Sequence, residues 1–357
     1  MTILWVSLVA VTYFGFMARY FAVPARAGAM PIQPNKIMAG AVAVTLVLVS
    51  GLRNNIGDTF LYIHAYNVTD FNWSTVWQGK DKGFSILQML LQQITQDPQL
   101  LLFITAFVTN VLIVCVLYNY ARLFEISIYV YITSGAFIVS MNGLRQYLAA
   151  AIVFAGTKFL LEGRWKPYMA LVLIASLFHQ SALIMVPIYF LARRKAWTTT
   201  TTLMLTSAIL IVIGYNYVSQ WLFSAISGTQ YGEYESFKEG GANILRVIVN
   251  IIPLVIAFMG REKFRRLFPS GDVIINLAII GSILMIIATQ NWIFARLSIY
   301  FNLYQILVIG WIIKLFREKD QRFIYILLVS FYFLYFFYEN VVILDIRYGS
   351  DYISWPF

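Results

Sequence analysis

Residues 98–118, PQLLLFITAFVTNVLIVCVLY, decide the class of fold, because they carry no charged side chain. About 20 consecutive apolar residues are enough for a helix to cross the roughly 30 Å hydrocarbon core of a bilayer. This stretch is therefore predicted to be a transmembrane helix, and the chain is predicted to be an integral membrane protein.

Similar apolar stretches recur along the chain of 357 residues, of which 60% are hydrophobic and 12% are charged. This composition is far from that of soluble globular domains. No polar block is long enough for a soluble domain, so residues 1–357 are predicted to form a single transmembrane domain. The prediction is an all-α, polytopic protein with about ten spanning helices. They are expected at residues 3–22, 37–52, 98–118, 125–141, 144–161, 200–222, 243–260, 272–290, 294–316 and 321–344.

Two further segments leave the topology open. Residues 83–96 are short and rich in glutamine, whereas residues 168–191 are long enough to span but carry His179 at their middle. If the first is an interfacial helix and the second is re-entrant, with a bend near His179, all the basic connections share one face, which should be cytoplasmic. If both segments span instead, the connections at 119–124 and 162–167 move outside. The first arrangement agrees better with the positive-inside rule.

Charge and cysteine content argue against several classes of function. The net charge is +10, but the basic residues stand in short loops between apolar runs. There they act as orientation signals rather than as a nucleic-acid surface. The single cysteine, Cys115, lies inside an apolar run, which leaves no disulfide framework and no cysteine metal site. The chain also lacks nucleotide-binding glycine patterns, a histidine pair at metal spacing and an Asp-x-Asp pair. We therefore expect no metal, no cofactor and no nucleic acid.

The first polar motif directly follows an apolar run and reads Arg53-Asn54-Asn55-Ile56-Gly57-Asp58-Thr59, with Tyr62 four residues after the aspartate. The simpler interpretation is a helix-ending loop with a local ion pair between Arg53 and Asp58. The functional interpretation is a site for anion binding and proton transfer at the membrane surface, because arginine grips phosphate oxygens in a two-point fork.

The second motif, Asn142-Gly143-Leu144-Arg145-Gln146, opens a run of small residues that is predicted to be helical. Arg145 then lies in the first helical turn, where the helix dipole and the side chain both favour an anion. The structural alternative is an arginine that only extends to the membrane interface.

The third motif, Leu177-Phe178-His179-Gln180-Ser181-Ala182, places an ionisable group in the middle of an apolar segment. Such a group is a functional candidate, although a lone histidine can also be a hydrogen-bonded helix contact. A bend here would free backbone groups, which is tolerated only against protein or a water-filled cavity.

Further polar groups occupy the outer parts of three late helices. Together with Arg53 and Arg145, they predict a basic, aromatic-lined cavity that is open to the outer face. Such a cavity suits a diphosphate headgroup and a sugar chain. The groups are Arg296 with Tyr300, Arg246 with Asn250, and Glu339 with Asn340.

Taken in order, these motifs resemble the EpsG family of Wzy-like bacterial polysaccharide polymerases. The likeness is strongest over about residues 50–195, although the first motif is one residue shorter before Asp58 than the commonest family form. Beyond that range, Arg296 and the terminal Trp355-Pro356-Phe357 are suggestive. The resemblance also rests on Lys82-Gly83-Phe84 and on Phe178-His179-Gln180-Ser181-Ala182-Leu183 leading to Pro187-Ile188-Tyr189.

The resemblance implies a multi-pass enzyme of the bacterial inner membrane that makes exopolysaccharide, capsule or O-antigen. Its substrates would be oligosaccharide repeat units carried on undecaprenyl diphosphate, and its candidate protein partners would be a flippase and a chain-length regulator. The acceptor hydroxyl of one lipid-linked unit would attack the anomeric carbon of another and release the lipid diphosphate, without metal or nucleotide.

Mapped onto this sequence, the resemblance gives a role to each candidate residue. Arginine side chains would neutralise the departing diphosphate, and the sequence leaves open which of three groups takes the acceptor proton. The arginines are Arg53, Arg145, Arg246 and Arg296. The three candidate bases are Asp58, His179 and Glu339. Substrate contacts are expected from Asn142, Gln146, Tyr62 and Tyr300.

Two other functions stay open. A glycan ligase or acyltransferase could act on the same lipid-linked substrate, and a flippase or transporter would also need arginines around a cavity within the membrane. No inverted repeat is visible in the sequence, and the polar groups concentrate toward one face. Both features argue against transport.

We predict a topology in which the basic connections face the cytoplasm. Outward-facing segments are residues 53–97, Asn142 and residues 223–242, and cytoplasmic segments are 23–36, 119–124, 162–167 and 192–199. Labelling of single cysteines by a membrane-impermeant reagent, in a Cys115-free background, measures this arrangement. Labelling of Arg164→Cys from outside would contradict the re-entrant interpretation of residues 168–191.

Overall fold

A computed structural model describes residues 1–25, 32–226 and 240–353 of the chain. Within these ranges the fold is all-α, as predicted, apart from a two-residue antiparallel pair, β1 (Val23–Pro24) and β2 (Ile32–Gln33). The helices are α1 (Thr2–Tyr20), α2 (Lys36–Gly51), α3 (Thr59–Val68), α4 (Trp73–Gln78), α5 (Lys82–Gln92), α6 (Gln99–Tyr120), α7 (Phe124–Thr133), α8 (Ala136–Asn142), α9 (Leu144–Ala155), α10 (Thr157–Glu162), α11 (Trp165–Phe178), α12 (Met185–Ala192), α13 (Thr199–Ile213), α14 (Tyr215–Ile226), α15 (Ile244–Met259), α16 (Arg261–Leu267), α17 (Gly271–Ile287), α18 (Ile293–Leu297), α19 (Ile299–Ile312) and α20 (Glu318–Phe336). Two 3₁₀ turns, Gln180–Ile184 and Ile313–Leu315, follow α11 and α19, and a π-helical turn, Phe337–Ile343, extends α20.

Three helices of the described ranges are long and apolar enough to cross a membrane: α1, α6, and α20 with its π-helical extension. Three bent pairs bring the number to six if each pair forms one span. These pairs are α7 with α8, α13 with α14, and α15 with α16, and they are bent by 53°, 105° and 82°. The fold is that of an integral membrane protein, whereas the ten predicted spans are not confirmed.

Glycine residues interrupt several of the predicted apolar runs. The run 125–141 breaks at Gly135, whose φ of +84° precedes α8, and the run 200–222 breaks at Gly214. Glycine weakens a helix and adopts backbone angles that other residues avoid, but it hardly changes the apolar content of a run. Apolar length in the sequence therefore overestimates the length of the continuous helices.

The core is centred on α7 and α19, which pack against each other and are buried along almost their whole lengths. Gly310 of α19 approaches Ser127 of α7 so closely that an added Cβ would lie 2.3 Å from the serine Oγ. Small residues let membrane helices approach closely in this way. The helices that carry the polar groups pack around this central pair.

The chain reverses at His179, between α11 and the 3₁₀ turn. Tyr168 near the start of α11 packs against Tyr189 near the end of α12, with ring centroids 5.3 Å apart. Arg193, directly after α12, donates to the carbonyl oxygen of Leu160 in α10 at 2.7 Å. Helices α11 and α12, with the 3₁₀ turn between them, therefore form a hairpin whose two open ends lie at the same end of the bundle. The bend predicted near His179 is present.

Residues 83–96 fall mostly in α5, which has 11 residues and is too short to span. Gln92, the last residue of α5, donates through Nε2 to the carbonyl oxygens of Tyr66 and Thr69, both at 2.8 Å. Its Oε1 accepts from the amide of Phe71 at 3.0 Å. These three hydrogen bonds fasten α5 to the end of α3, as suits the non-spanning helix that was predicted.

Arg53 anchors the loop between α2 and α3, and its side chain is fully buried. The guanidinium donates from Nη2 to the carbonyl oxygen of Met141 at 2.7 Å, from Nε to Thr59 Oγ1 at 3.0 Å and from Nη1 to the carbonyl oxygen of Ser50 at 2.5 Å. Every guanidinium nitrogen therefore has a protein acceptor. Arg53 joins the loop to the end of α8.

Gly57 completes the contact between this loop and α8. Its φ is +54°, and an added Cβ would lie 2.2 Å from Oδ1 of Asn142. The same oxygen accepts a hydrogen bond from the amide of Asp58 at 2.9 Å. Only glycine fits both the backbone angle and the space, and the first two sequence motifs are therefore in direct contact.

The segment after α20 packs against the same loop. The amide of Asn54 donates to the carbonyl oxygen of Gly349 at 3.0 Å, and the amide of Gly349 donates to Asn55 Oδ1 at 2.5 Å. Tyr348 donates through its hydroxyl to the carbonyl oxygen of Val49 at 2.8 Å. The loop is thus held on two sides. The terminal Trp355-Pro356-Phe357 lies outside the described residues.

We expect Gly57→Ala to destabilise the protein by about 1–3 kcal/mol, because alanine at this angle is strained and its Cβ meets Asn142. Gly40→Ala is the matched control, since Gly40 lies within α2 with no heavy atom within 4 Å of an added Cβ. Alanine there should be neutral or stabilising. Thermal unfolding in detergent measures both. Equal midpoints for the two variants would contradict the proposed fit of Gly57 against Asn142.

Candidate functional site

A cavity of about 310 Å³ lies between α8, α9, α15, α18, α19 and the end of α20. Five residues that were given a role from the sequence line it together, Asn250 and Asn340 line it as well, and aromatic side chains supply much of the remaining wall. The five are Asn142, Gln146, Arg246, Arg296 and Glu339. The aromatic residues are Tyr147, Trp292, Tyr332 and Tyr335. The fold therefore contains an aromatic-lined cavity with two arginines, Arg246 and Arg296, whereas Arg53 and Arg145, which were predicted to contribute, do not line it.

Glu339 and Arg246 form an ion pair at the wall of this cavity. Arg246 donates through Nε to Glu339 Oε1 at 2.6 Å, and Nη2 contacts the same oxygen. Glu339 lies in the π-helical turn and is buried, and its second oxygen, Oε2, has no hydrogen-bond partner among the described residues. One carboxylate oxygen is thus fixed by arginine, while the other is buried without a hydrogen bond to the described residues. Single π-helical turns are frequent at functional sites.

Arg296 forms a second, looser pair with Asp58. Its Nη2 lies 3.6 Å from Asp58 Oδ2, and each side chain is about one-third exposed. The guanidinium carbon also lies 4.9 Å from the ring centre of Trp292, and Gln146 donates to the carbonyl oxygen of Arg296 at 2.7 Å. Asp58 therefore pairs across the site with Arg296. The simpler interpretation, which predicted a local ion pair between Asp58 and Arg53, is wrong.

Arg145 pairs with Asp81, a residue that was not predicted. Nη1 of Arg145 lies 2.8 Å from Asp81 Oδ2, and Asp81 Oδ1 accepts from the amide of Gln180 at 3.2 Å. Burial raises the pKa of Asp81, and the positive charge of Arg145 opposes part of that shift. The Arg145 guanidinium also lies 5.8 Å from the ring centres of Tyr62 and Phe84. Asp81 therefore joins the second and third motifs.

His179 belongs to a short chain of hydrogen bonds. Its Nδ1 lies 2.6 Å from Ser181 Oγ, which lies 2.9 Å from the hydroxyl of Tyr300. Arg145 and Arg296 both lie close enough to act electrostatically on His179. The chain thus lies beside both arginines. Ser181 is the link that sequence reasoning missed, although it stands two residues after His179.

The predicted site residues therefore fall into three groups. Five line the cavity. Of the others, Asp58 pairs with the lining residue Arg296, Tyr62 contacts Arg145, and His179 and Tyr300 are joined through Ser181. Arg53 stands apart, because its guanidinium is buried and occupied by protein acceptors. The acidic residues of the predicted outer loop, Glu233, Glu235 and Glu239, lie outside the described residues.

The chemistry of the cavity follows from its charges. Two guanidinium groups on its wall can bind a phosphate or diphosphate in two-point contacts. A carboxylate with one free oxygen can accept a proton from a hydroxyl. Within the described ranges, no three His, Cys, Asp or Glu side chains come together as ligands for a metal ion. The side chains of the site therefore offer anion binding and proton transfer.

Comparison with known proteins shows the family of this chain. The sequence model of the EpsG family matches residues 36–353, and this range includes the loop of Arg53, the turn at Asn142, the bend at His179 and the late helices with Arg296. No curated protein and no solved structure matches the chain. The match extends well beyond residues 50–195, where the resemblance in the sequence was strongest. Because it covers nearly the whole chain, the protein belongs to the EpsG family.

Proposed function

We propose that this protein is a polysaccharide polymerase that joins oligosaccharide repeat units carried on undecaprenyl diphosphate. The reaction would take place at the outer face of the bacterial inner membrane and would supply exopolysaccharide, capsule or O-antigen. The observation that carries the proposal is the cavity in which Arg246, Arg296 and Glu339 meet. Membership of the EpsG family supports it.

Negative charge develops on the diphosphate when the bond to the sugar breaks. Arg296 and Arg246 line the cavity and would bind the phosphate oxygens, with Arg145 contributing from the adjacent Asp81 pair. The Arg296 pair with Asp58 is 3.6 Å long, so a phosphate can take over this arginine without loss of a tight ion pair. Arg53 was expected to bind the diphosphate directly. Its burial supports a positioning role, in which it holds the loop of Asp58 against α8.

Glu339 is the base that the geometry favours among the three candidates. Glu339 lines the cavity, and its Oε2 forms no hydrogen bond within the described residues, whereas Asp58 and His179 do not line the cavity and His179 is hydrogen-bonded to Ser181. The acceptor hydroxyl would give its proton to Glu339 Oε2 while its oxygen attacks the anomeric carbon. The bond from that carbon to the diphosphate oxygen breaks, and the lipid diphosphate leaves with the bonding electrons. The balance of the step requires no metal and no nucleotide.

Amide side chains would orient the sugars in the cavity. Asn142 and Gln146 each use one amide atom within the protein, at Asp58 and at the carbonyl of Arg296. The other amide atom of each remains for sugar hydroxyls, which both donate and accept hydrogen bonds. Tyr62 and Tyr300 would act indirectly, through Arg145 and Ser181.

The decisive experiment uses purified protein in liposomes with lipid-linked repeat units and no nucleotide sugar. A polymerase should produce a ladder of longer lipid-linked glycans. A ligase or acyltransferase would give a single new product only when its own acceptor is added. A flippase would move the repeat unit across the bilayer without a ladder, and that outcome would overturn the proposal.

We expect Arg145→Lys to slow polymerisation roughly tenfold to a hundredfold while the protein stays folded. Lysine keeps the charge beside Asp81 but loses the two-point grip on phosphate, and one charge-assisted hydrogen bond is worth about 1.5–3 kcal/mol. Ladder formation at equal protein level is the measurement. Arg164→Lys is the matched control, because Arg164 is mostly exposed and pairs with Glu162 away from the cavity. A wild-type rate in Arg145→Lys would remove Arg145 from phosphate binding.

We expect Glu339→Gln to lower the turnover rate by roughly a hundredfold or more, because removal of a general base has effects of that size. Glutamine has the same shape, so it can still accept a hydrogen bond from Arg246. Glu162→Gln, at an exposed glutamate in α10, is the control. Turnover within a few fold of wild type in Glu339→Gln would transfer the role of base to Asp58 or His179.

A further inference from the structure

A second recess of about 560 Å³ lies between the end of α3 and the C-terminal part of α5. It is more open to solvent than the cavity described above. Most of its wall is polar, and four of its side chains are amides. These are Asn67, Gln92, Gln93 and Gln96, with Asp70 and Phe71 beside them.

The amides of the recess divide into a structural one and several that can bind a ligand. Both amide atoms of Gln92 are engaged in the hydrogen bonds that fasten α5 to α3. Gln96 makes one long bond of 3.2 Å to the carbonyl oxygen of Gln92. Within the part of the chain that the structure describes, no hydrogen bond is formed by the side-chain amides of Asn67 and Gln93, and both residues are exposed. Three polar side chains therefore face the recess without strong internal partners.

The chemistry of the recess points to a chain of sugar hydroxyls. An amide offers two donors and an acceptor, and a hydroxyl both donates and accepts, so the two match without any charge. A diphosphate, a nucleic acid or an acidic peptide would require lysine or arginine, and the lining holds neither. Its one charged residue is Asp70, which disfavours anionic ligands. A neutral glycan segment is the ligand that fits best.

The position of the recess connects it to the proposed reaction. α3 begins at Thr59, directly after Asp58 at the cavity, and ends at Val68, which lines the recess. At about 1.5 Å per residue the helix separates the two by roughly 14 Å. A glycan whose reacting end lies in the cavity can therefore reach the recess after a few sugars.

We propose that this amide-lined recess binds the longer of the two glycans, several sugars away from its reacting end. This inference rests on the proposed polymerase function. The recess would hold the chain between successive additions, so that it lengthens before it leaves. The first coupling of two single repeat units would not depend on it, because the units are joined at the cavity.

The test compares chain lengths made by wild type and by the double variant Gln93→Ala, Gln96→Ala. Purified full-length protein in liposomes receives the lipid-linked repeat unit without nucleotide sugar. Loss of two hydrogen bonds of ordinary strength should weaken chain binding roughly tenfold. The variant should therefore make markedly shorter glycans, while the initial rate of dimer formation stays within about twofold of wild type. The control removes two other exposed amides, in Gln78→Ala, Asn119→Ala, and should leave chain length unchanged.

Each outcome has a separate meaning. Wild-type chain lengths in the Gln93, Gln96 variant would overturn the inference about the recess. Absence of a ladder in wild type would overturn the proposed function instead. If the alanine variant does not accumulate, Gln93→Asn, Gln96→Asn keeps both amides on shorter side chains. It should shorten the chains to a smaller degree, and unchanged length in that variant would also contradict the inference.

Discussion

The site depends on the buried guanidinium of Arg53. Removing a cation from water is costly unless every donor finds a partner, and Arg53 finds Ser50, Met141 and Thr59. Burial lowers the pKa of Arg53 to about 10, so the side chain remains protonated at neutral pH. The hydrogen bonds of Arg53 fix the loop between α2 and α3 against α8. Asp58 of this loop therefore lies close enough to pair with Arg296. Without these hydrogen bonds of Arg53, the loop would not hold Asp58 at its present distance from Arg296.

Three arginine–carboxylate pairs surround the proposed reaction site. Charges within a membrane protein are expensive and are usually paired, and each arginine that would bind phosphate has an acidic partner here: Asp58 for Arg296, Glu339 for Arg246 and Asp81 for Arg145. A bound diphosphate can replace or share these partners, so the free protein avoids unpaired cations. The same pairs hold the guanidinium groups in place, which lowers the reorganisation needed when charge develops on the leaving group.

The sequence was sufficient for the all-α membrane class, the family and several polar residues of the cavity, because apolar length and clustered intramembrane charges are local signals. It was insufficient where the outcome depends on tertiary contacts. Arg53 looks like a phosphate ligand until its three protein acceptors are seen, and Asp81 pairs with Arg145, which lies 64 residues away in the sequence. Breaks such as Gly135 interrupt a helix without lowering hydropathy, so apolar length in the sequence overestimates the length of the continuous helices.

The central claim is that glycosidic bonds form at the expense of the bond to lipid diphosphate. The most direct measurement counts both products in one reaction of purified protein with lipid-linked repeat units and no nucleotide. The account predicts one undecaprenyl diphosphate released for each new glycosidic bond, with both falling together in Glu339→Gln. New glycosidic bonds without release of lipid diphosphate, or release without new bonds, would contradict it.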